Sequence, residues 1–588
     1  GAPPTRRLVK VDASNMKAII VGGAPYGIVL ACRIKEIDSN STVVVIERGP
    51  SICMSMLPAK DMENGDADPG FADESYLQDL GIELRTFSEI RTIETEKRQV
   101  FIHDIEAKYS YTESYDALIL SSNIAANDEN FAWHENPGVL KCTTHDDISA
   151  LVSKMQEQSP SKVIIVGGSL LCLRMAEALS KAHAVKDQVE ILCSDSKVYG
   201  KLDQDMAEML HNQMRKAGVG VKLQETVCEI RGDIGSVEIL SESGLVHCAD
   251  FVILSVEYYS ETELAQKAGV RIGHYGVMVS DRMESTQRSV WAMGRSAEQP
   301  DDVALSPREI TYLRQAHIIA DDIFHHENTI ATSCMTESFQ ILGESIAVTG
   351  LNEEEAKLRN IAYQKVYITD SACAFSDISC YSLKVLFKED GTIIGAQCIG
   401  NGDIAGLVDS FTVAIQGGQT VFDLESSELC EPDYHPINKV GSIASDSINK
   451  YCPLISWEKV LNLDCAERLR SSQTMDCILI DVREPDCYNQ FHVPGSINLP
   501  LSSLDASLHH LEEESLMFVY CEDTALSCQA TWILKKRKYN CFSVSGGLFS
   551  YHLLKESLPQ KDLIFFGCEC NCKGNTLKEG EIMLEKSL

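Results

Sequence analysis

The chain of 588 residues has no run approaching the roughly 18 uninterrupted apolar residues that a membrane-spanning helix requires, which excludes an integral helical membrane protein. It is short of positive charge: 52 Lys and Arg stand against 86 Asp and Glu, a formal net charge of −34. Such a surface repels phosphate backbones and anionic headgroups alike, so neither nucleic acid nor a membrane is an expected partner. A disulfide framework is also missing. The 22 cysteines are scattered through long hydrophobic-patterned segments, not clustered in a short module, which points to a reducing, cytoplasmic setting. Gly1 to Asn15 has no apolar core of a secretory signal, while Met16-Lys-Ala-Ile-Ile-Val21 reads as a native start running into a strand. The first fifteen residues are therefore read as a leader or remnant. No His-x-x-His or Glu-x-x-His spacing is read as a metal site, and no catalytic histidine is expected.

What is present is ordinary globular composition, 44% apolar and 23% charged, in a chain long enough for about four domains at roughly 150 residues each. Two segments resemble each other: Lys17-Ala-Ile-Ile-Val-Gly-Gly and Lys162-Val-Ile-Ile-Val-Gly-Gly, each followed by a helix-period stretch. An apolar strand, a glycine turn and a helix form the opening unit of a dinucleotide-binding fold. Gly22 and Gly167 lie 145 residues apart, so two such domains are expected. The apolar runs Asp250–Ser255 and Ser289–Gly294 are expected to return to the first of them. From about Thr336 the pattern changes to alternating strands, such as Ser382–Phe387 and Ile393–Ile399, followed by a helix over Ile404–Gly417, an α+β unit. A smaller α/β unit begins near Ile455, with strands Cys477–Asp481 and Met517–Cys521 and a helix over Leu526–Lys538.

Glycine at a strand-to-helix turn lets backbone amides approach a pyrophosphate, and an acid at the end of the next strand can hold a ribose hydroxyl. The first unit supplies Gly22, Gly23 and Gly27, with Glu47 after strand Val43–Ile46. The second keeps Gly167 and Gly168 but has Ser169 and Cys172 at the third and sixth positions of the glycine pattern, and Cys193 in place of the acid. A side chain at the sixth position separates helix from strand and crowds the pyrophosphate site.

The order of units resembles the flavin-dependent pyridine nucleotide-disulfide oxidoreductases, in particular the coenzyme A disulfide reductase type with a C-terminal rhodanese domain. The most specific stretches are Ile46-Glu-Arg-Gly-Pro50, Val348-Thr-Gly-Leu-Asn-Glu353, Gly395-Ala-Gln-Cys-Ile-Gly400, Asp481-Val-Arg-Glu-Pro485 and His492-Val-Pro-Gly-Ser-Ile-Asn498. The resemblance implies an α/β protein with two Rossmann-like domains, an FAD-binding type over 16–128 and 250–330 and an NAD(P)-binding type over 129–249. A dimerisation domain over 331–452, a rhodanese-like domain over 453–565 and a cysteine-containing tail over 566–588 complete it. It implies FAD held by Gly22, Gly23, Gly27, Glu47, Arg48 and Gly294, and NAD(P)H at Gly167 and Gly168. It further implies a homodimer in which Tyr434 reaches the partner's active site, and a disulfide or persulfide substrate such as a coenzyme A derivative.

The chain departs from the family at several of these places. Ser55 stands where the family has its redox cysteine, leaving Cys53 as the nearby thiol; Gly294-Arg295 replaces Gly-Asp; Ser122-Asn123 replaces Pro-Gly; and Phe375 replaces one active-site tyrosine. In the last unit Cys521 holds the place of the rhodanese nucleophile. The helix N-terminus beyond it is expected to lower its pKa, and the adjacent Glu522 and Asp523 to raise it. Thr524 and Leu526 replace the usual glycine and arginine, and Cys528 is read as core. A second class of function is consistent with these departures: a non-catalytic homodimeric scaffold or binding protein on the same fold.

Overall fold

The structure is a computed structural model. It describes residues 16–557 apart from 24–25, 50–73, 122–123, 127–135, 143–144, 256–257, 261, 274–275, 299–308, 327–333, 370–380, 431–434, 463–476 and 509–514. None of the helices among the described residues is long and apolar enough to cross a membrane. The chain divides into two compact units, one of residues 1–134, 141–147 and 256–333, the other of 135–140, 148–255 and 334–588.

The first unit opens with strand β1 (Lys17–Val21), helix α1 (Tyr26–Ile37) and strand β2 (Thr42–Ile46), then adds β3 (Ile82–Arg85) and β4 (Ala117–Leu120). β1, β2 and β4 are apolar almost throughout, and their inner residues are buried in one core with α1, the helix over Glu309–Ile323 and, from a three-stranded antiparallel sheet, Ile90, Ile93, Val100 and Ile102. In the second unit β5 (Lys162–Val166), α2 (Leu170–Lys181), β6 (Gln188–Leu192), α3 (Gln204–Lys216) and β7 (Val219–Lys222) repeat the pattern, and β8 (Phe251–Ser255) pairs in parallel with β5. The expectation that this last run returns to the first domain is thereby corrected. An apolar strand fits any sheet covered on both faces, and its own pattern carries no mark of its neighbour. Strand β9 (Val290–Ala292) does rejoin the first sheet, whose order is β9-β4-β1-β2-β3, followed by helix α4 (Glu309–Ile323).

The rest of the second unit holds an antiparallel sheet of β10 (Glu337–Ile341), β11 (Glu344–Gly350), β12 (Gln364–Thr369), β13 (Tyr381–Phe387) and β14 (Ile393–Gly400), in the order β10-β11-β14-β13-β12. Helices α5 (Ile404–Gln416) and α6 (Pro436–Ile448) cover one face through Val408, Phe411, Val440 and Ala444. An antiparallel sheet covered on one face would commonly leave the opposite, polar face to solvent. This one does not: Lys384 and Gln397, paired across β13 and β14, are 0% and 3% exposed. The chain ends in a parallel sheet of β15 (Leu454–Ile455), β16 (Cys477–Asp481), β17 (Ile497–Asn498), β18 (Leu516–Tyr520) and β19 (Asn540–Val544), with helices α7 (Thr524–Lys536) and α8 (Gly547–Ser557). Its order is β15-β19-β18-β16-β17, with an apolar cluster on each face.

Candidate functional site

In the first unit Gly22, Glu47, Ser121 and Met293 each follow a parallel strand, so all four lie at the carboxyl edge of one sheet. The strand order reverses between β4 and β1, the place where an open α/β sheet leaves a ligand crevice. Gly22 takes φ +87°, which its lack of a Cβ allows. A Cβ at Gly27 would stand 2.2 Å from the Gly22 carbonyl oxygen, so only glycine lets α1 approach the turn this closely. Glu47 is buried, and its carboxylate accepts from the Gly23 amide at 3.0 Å and the Gly49 amide at 3.2 Å. Gly294, at φ +66°, donates its amide to Gln315 Oε1 at 2.8 Å, fixing the chain after β9 on α4. Arg48 lies at the surface with a guanidinium nitrogen 3.0 Å from Glu89.

The second turn has the same backbone plan and a different filling. Gly167 has φ +129°, and Ser169 caps α2 by accepting from the Cys172 amide at 3.5 Å. Cys172 takes the position equivalent to Gly27, and a Cβ at Gly167 would meet its sulfur at 2.8 Å. Cys193 Sγ lies equally close beneath Gly168, 2.6 Å from where a Cβ would stand. Burial pushes the Cys193 thiol up to about 11, and the Asp195 and Cys172 charges add to the rise. The neighbouring cation is engaged elsewhere in the same unit, with Lys197 Nζ 2.6 Å from Glu354. The turn therefore presents thiols where a ribose-binding acid and a sixth-position glycine would serve a dinucleotide.

In the last domain Cys521 follows β18, 4% exposed. Its carbonyl accepts from Leu548 N at 2.8 Å, and a Cβ at Gly547 would lie 2.3 Å from that oxygen. Burial pushes its thiol up to about 12; the Asp523, Glu522 and Asp481 carboxylates raise it further, against the hydrogen bond from the Glu522 backbone. The rise outweighs the lowering expected from the helix. Asp523 is the N-cap of α7 and its carboxylate accepts from Leu526 N at 3.0 Å, so the charge at the helix start belongs to Asp523. The two rhodanese-like motifs brace this loop. Arg483 is buried in a forked pair with Asp481, its Nη2 at 2.8 Å, and Tyr520 Oη receives the Val493 amide at 3.0 Å and lies 2.9 Å from Ser496 Oγ. Cys528 is core, with its thiol 3.6 Å from Ser543 Oγ.

Sequence reasoning missed a charged cluster. Lys384 Nζ lies 2.9 Å from Asp203 and 2.7 Å from Asp205, and also pairs with Glu353; Lys365 bridges Glu353 at 2.9 Å and Glu458 at 2.8 Å. Tyr367 donates its hydroxyl to Asp205. The three carboxylates Asp203, Asp205 and Glu353 converge closely enough to ligate a metal ion, but the Lys384 ammonium is at their centre. Burial raises the Asp203 carboxyl to about 6 with help from Glu353 and Asp205, against the pull of Lys384. The signal in the sequence was the stretch Val348–Glu353, which contains Glu353 but not its partners. A Glu-x-x-His spacing also escaped notice: Glu208 and His211 are buried and 2.9 Å apart, while His211 Nε2 accepts from Val198 N at 3.2 Å. With both ring nitrogens so engaged, the pair is a brace beneath the loop leading to α3. Cys53, Tyr434, Ser55, Phe375 and the tail lie outside the described residues, as does the side chain of Arg295.

Two glycine-turn dinucleotide folds in one chain, followed by an antiparallel α+β domain, define the class of reductases built on paired nucleotide domains. Residues 16–317 match the pyridine nucleotide-disulphide oxidoreductase family, 340–437 its dimerisation domain and 463–553 the rhodanese-like domain. The chain belongs to the pyridine nucleotide-disulphide oxidoreductases, a family of FAD- and NAD(P)H-dependent flavoproteins, and carries a rhodanese-like domain at its C-terminal side. It is 25% identical over 452 residues to the NADH oxidase of Methanocaldococcus jannaschii, covering 74% of this chain and 99% of that protein. It is 23% identical over 444 residues to a coenzyme A disulfide reductase of Staphylococcus aureus, covering 72% and 99%. Among solved structures, the reduced Bacillus anthracis CoADR-RHD shares the fold at a TM-score of 0.81 and 23% identity, covering 92% of this chain and 98% of that one. The NAD-dependent persulfide reductase from A. fulgidus shares it at 0.74 and 22%, covering 91% and 100%.

Proposed function

We propose that the chain is a homodimeric, FAD-dependent NAD(P)H:disulfide or persulfide oxidoreductase acting on coenzyme A-type substrates, with weakened thiol chemistry and a C-terminal domain that carries sulfur on Cys521. The observation that supports it most is the first turn. Gly27 admits no side chain against Gly22, and the buried Glu47, whose carboxylate accepts from the Gly23 amide, stands at the end of the next strand, a backbone approach and an acid that suit a dinucleotide. Gly22, Gly23, Gly27, Glu47 and Gly294 would hold FAD, with Arg48 at the margin. Bound FAD would relay an electron pair from NAD(P)H to the disulfide. Cys53 is the thiol nearest in sequence to the family's redox position, and Tyr434 would serve the partner's site.

The second turn favours a weaker reading of the reductive half. Cys172 and Cys193 supply neither the close glycine approach nor the ribose acid, so NAD(P)H binding at Gly167 and Gly168 is poor. These same residues support a second reading, a non-catalytic scaffold on the family fold. Steady-state oxidation of NADH and NADPH with coenzyme A disulfide separates the two: slow turnover, well below the typical order of 10 per second, that requires Cys53 supports an enzyme. Turnover indistinguishable from buffer supports the scaffold, and fast turnover contradicts the weakened chemistry.

A further inference from the structure

Thr524 stands where the rhodanese pattern usually has glycine, and its side chain makes contacts that a glycine could not. It is fully buried. Its hydroxyl donates to the Tyr367 carbonyl at 2.8 Å, on strand β12 of the dimerisation domain, and accepts from the Gly546 amide at 2.8 Å. Gly546 in turn packs on the same strand, where an added Cβ would come 2.9 Å from the Tyr367 ring. The next residue, Gly547, lies under Cys521: Leu548 N donates to the Cys521 carbonyl, and Trp457 Nε1 holds the Gly547 carbonyl at 2.7 Å. A second tie runs alongside without touching the cysteine loop, from Ser545 Oγ to the Lys365 carbonyl at 2.7 Å.

One hydroxyl thus closes a ring of contacts among the cysteine loop, the Gly546–Gly547 turn and a strand of another domain. We propose that Thr524 is a positioning residue for Cys521: its hydroxyl pins the cysteine loop to strand β12 and to the Gly546–Gly547 turn, and so sets how readily the Cys521 thiol reacts. Both groups it satisfies are buried backbone atoms, so losing the hydroxyl leaves them unpaired and favours release of the loop. Helix α7 itself does not depend on it, because Asp523 supplies the cap. The inference rests on reading Cys521 as the sulfur-carrying thiol. The test reads the position of that thiol whether or not it carries sulfur, so the two can fail separately.

The test is alkylation of the full chain by iodoacetamide, in which the Cys521 thiolate displaces iodide to form a thioether, with labelling located by peptide mass mapping across a pH series. In the unaltered chain the Cys521 rate should climb without a plateau up to about pH 10, as a thiol pushed up to about 12 requires. Thr524→Val, which keeps the shape and removes both hydrogen bonds, should label at least about fivefold faster near pH 8 and bend toward a plateau. Thr524→Ser should stay within about twofold of the unaltered rate, and so should Ser545→Ala, which cuts the parallel tie. Should valine prevent folding, Thr524→Gly gives the same readout without filling space. Equal rates and pH profiles for the valine or glycine variant and the unaltered chain would overturn the proposal. So would failure of serine to restore the slow rate, or an effect of Ser545→Ala as large as that of valine.

Discussion

The ammonium of Lys384 lies 2.7 Å from the carboxylate of Asp205, and Lys384 does not reach solvent. This pair joins β13 of the dimerisation domain to α3 of the second nucleotide domain, and Asp203 and Glu353 complete the shell around the same ammonium. Removing one partner of a buried ion pair leaves an uncompensated charge, at a cost of about 3–5 kcal/mol. Lys384→Met strands three carboxylates and should lower the urea midpoint of this unit by a corresponding amount. A loss below about 1 kcal/mol, the scale of an exposed pair, would mean that the cluster is solvated.

The same cluster gives a pH dependence of defined sign. Burial raises the Asp203 carboxyl from an ordinary value of 3.8 to about 6. Between those values the folded chain binds more protons at Asp203 than the unfolded chain, so this contribution to stability falls as pH rises and is level above about pH 6. Asp205 and Glu353 are held low, mainly by Lys384 against burial, and act in the opposite sense through and below their ordinary values of 3.8 and 4.5, a contribution that the comparison with an Asp203 variant largely cancels. The stability of the unaltered chain relative to Asp203→Asn should therefore decline from pH 4 to about 6. Denaturation curves at matched pH read this difference, and one that is flat or rises with pH would show Asp203 ionised throughout.

Cys521 should be a poor acceptor of sulfur from thiosulfate. Its raised pKa leaves little thiolate at neutral pH, and Glu522 and Asp523 repel a dianion. Glu522→Gln with Asp523→Asn keeps a good N-cap for α7, since Asn caps about as well as Asp. The double variant should gain thiosulfate reactivity at low ionic strength and gain less at high salt, where screening already weakens the repulsion. No gain in the double variant, or a gain of the same size at low and high salt, would show that these carboxylates do not repel the donor.

The repeated strand-turn-helix units were legible because each rests on local chemistry: an apolar strand, a glycine needed at positive φ, and a helix of the right period. The partner of Phe251–Ser255 was not, because a strand buried on both faces has no register mark for one sheet over another. Nothing in the alternating strand Ser382–Phe387 marks Lys384 for burial, and only the tertiary fold brings Asp203 and Asp205 to it. At Cys521 the residues were all visible, but their balance was not. Whether Asp523 repels the thiolate from outside or occupies the helix start itself depends on one side-chain rotamer.

The dimerisation domain leads to an expectation about assembly. The chain should sediment as a homodimer at micromolar concentration, held through roughly residues 336–451, which include Tyr434. Sedimentation equilibrium decides this, and a monomer would remove the shared active site in which Tyr434 serves the partner.

The first nucleotide turn should still hold a flavin. The visible absorption spectrum of the purified full chain reads this, beside that of Gly27→Ala, whose Cβ would stand 2.2 Å from the Gly22 oxygen. Flavin absorption is expected from the unaltered chain, and a loss of at least about tenfold in FAD affinity, or about 1.4 kcal/mol, in the variant. A chain that shows no flavin absorption and takes up none when FAD is added would contradict it.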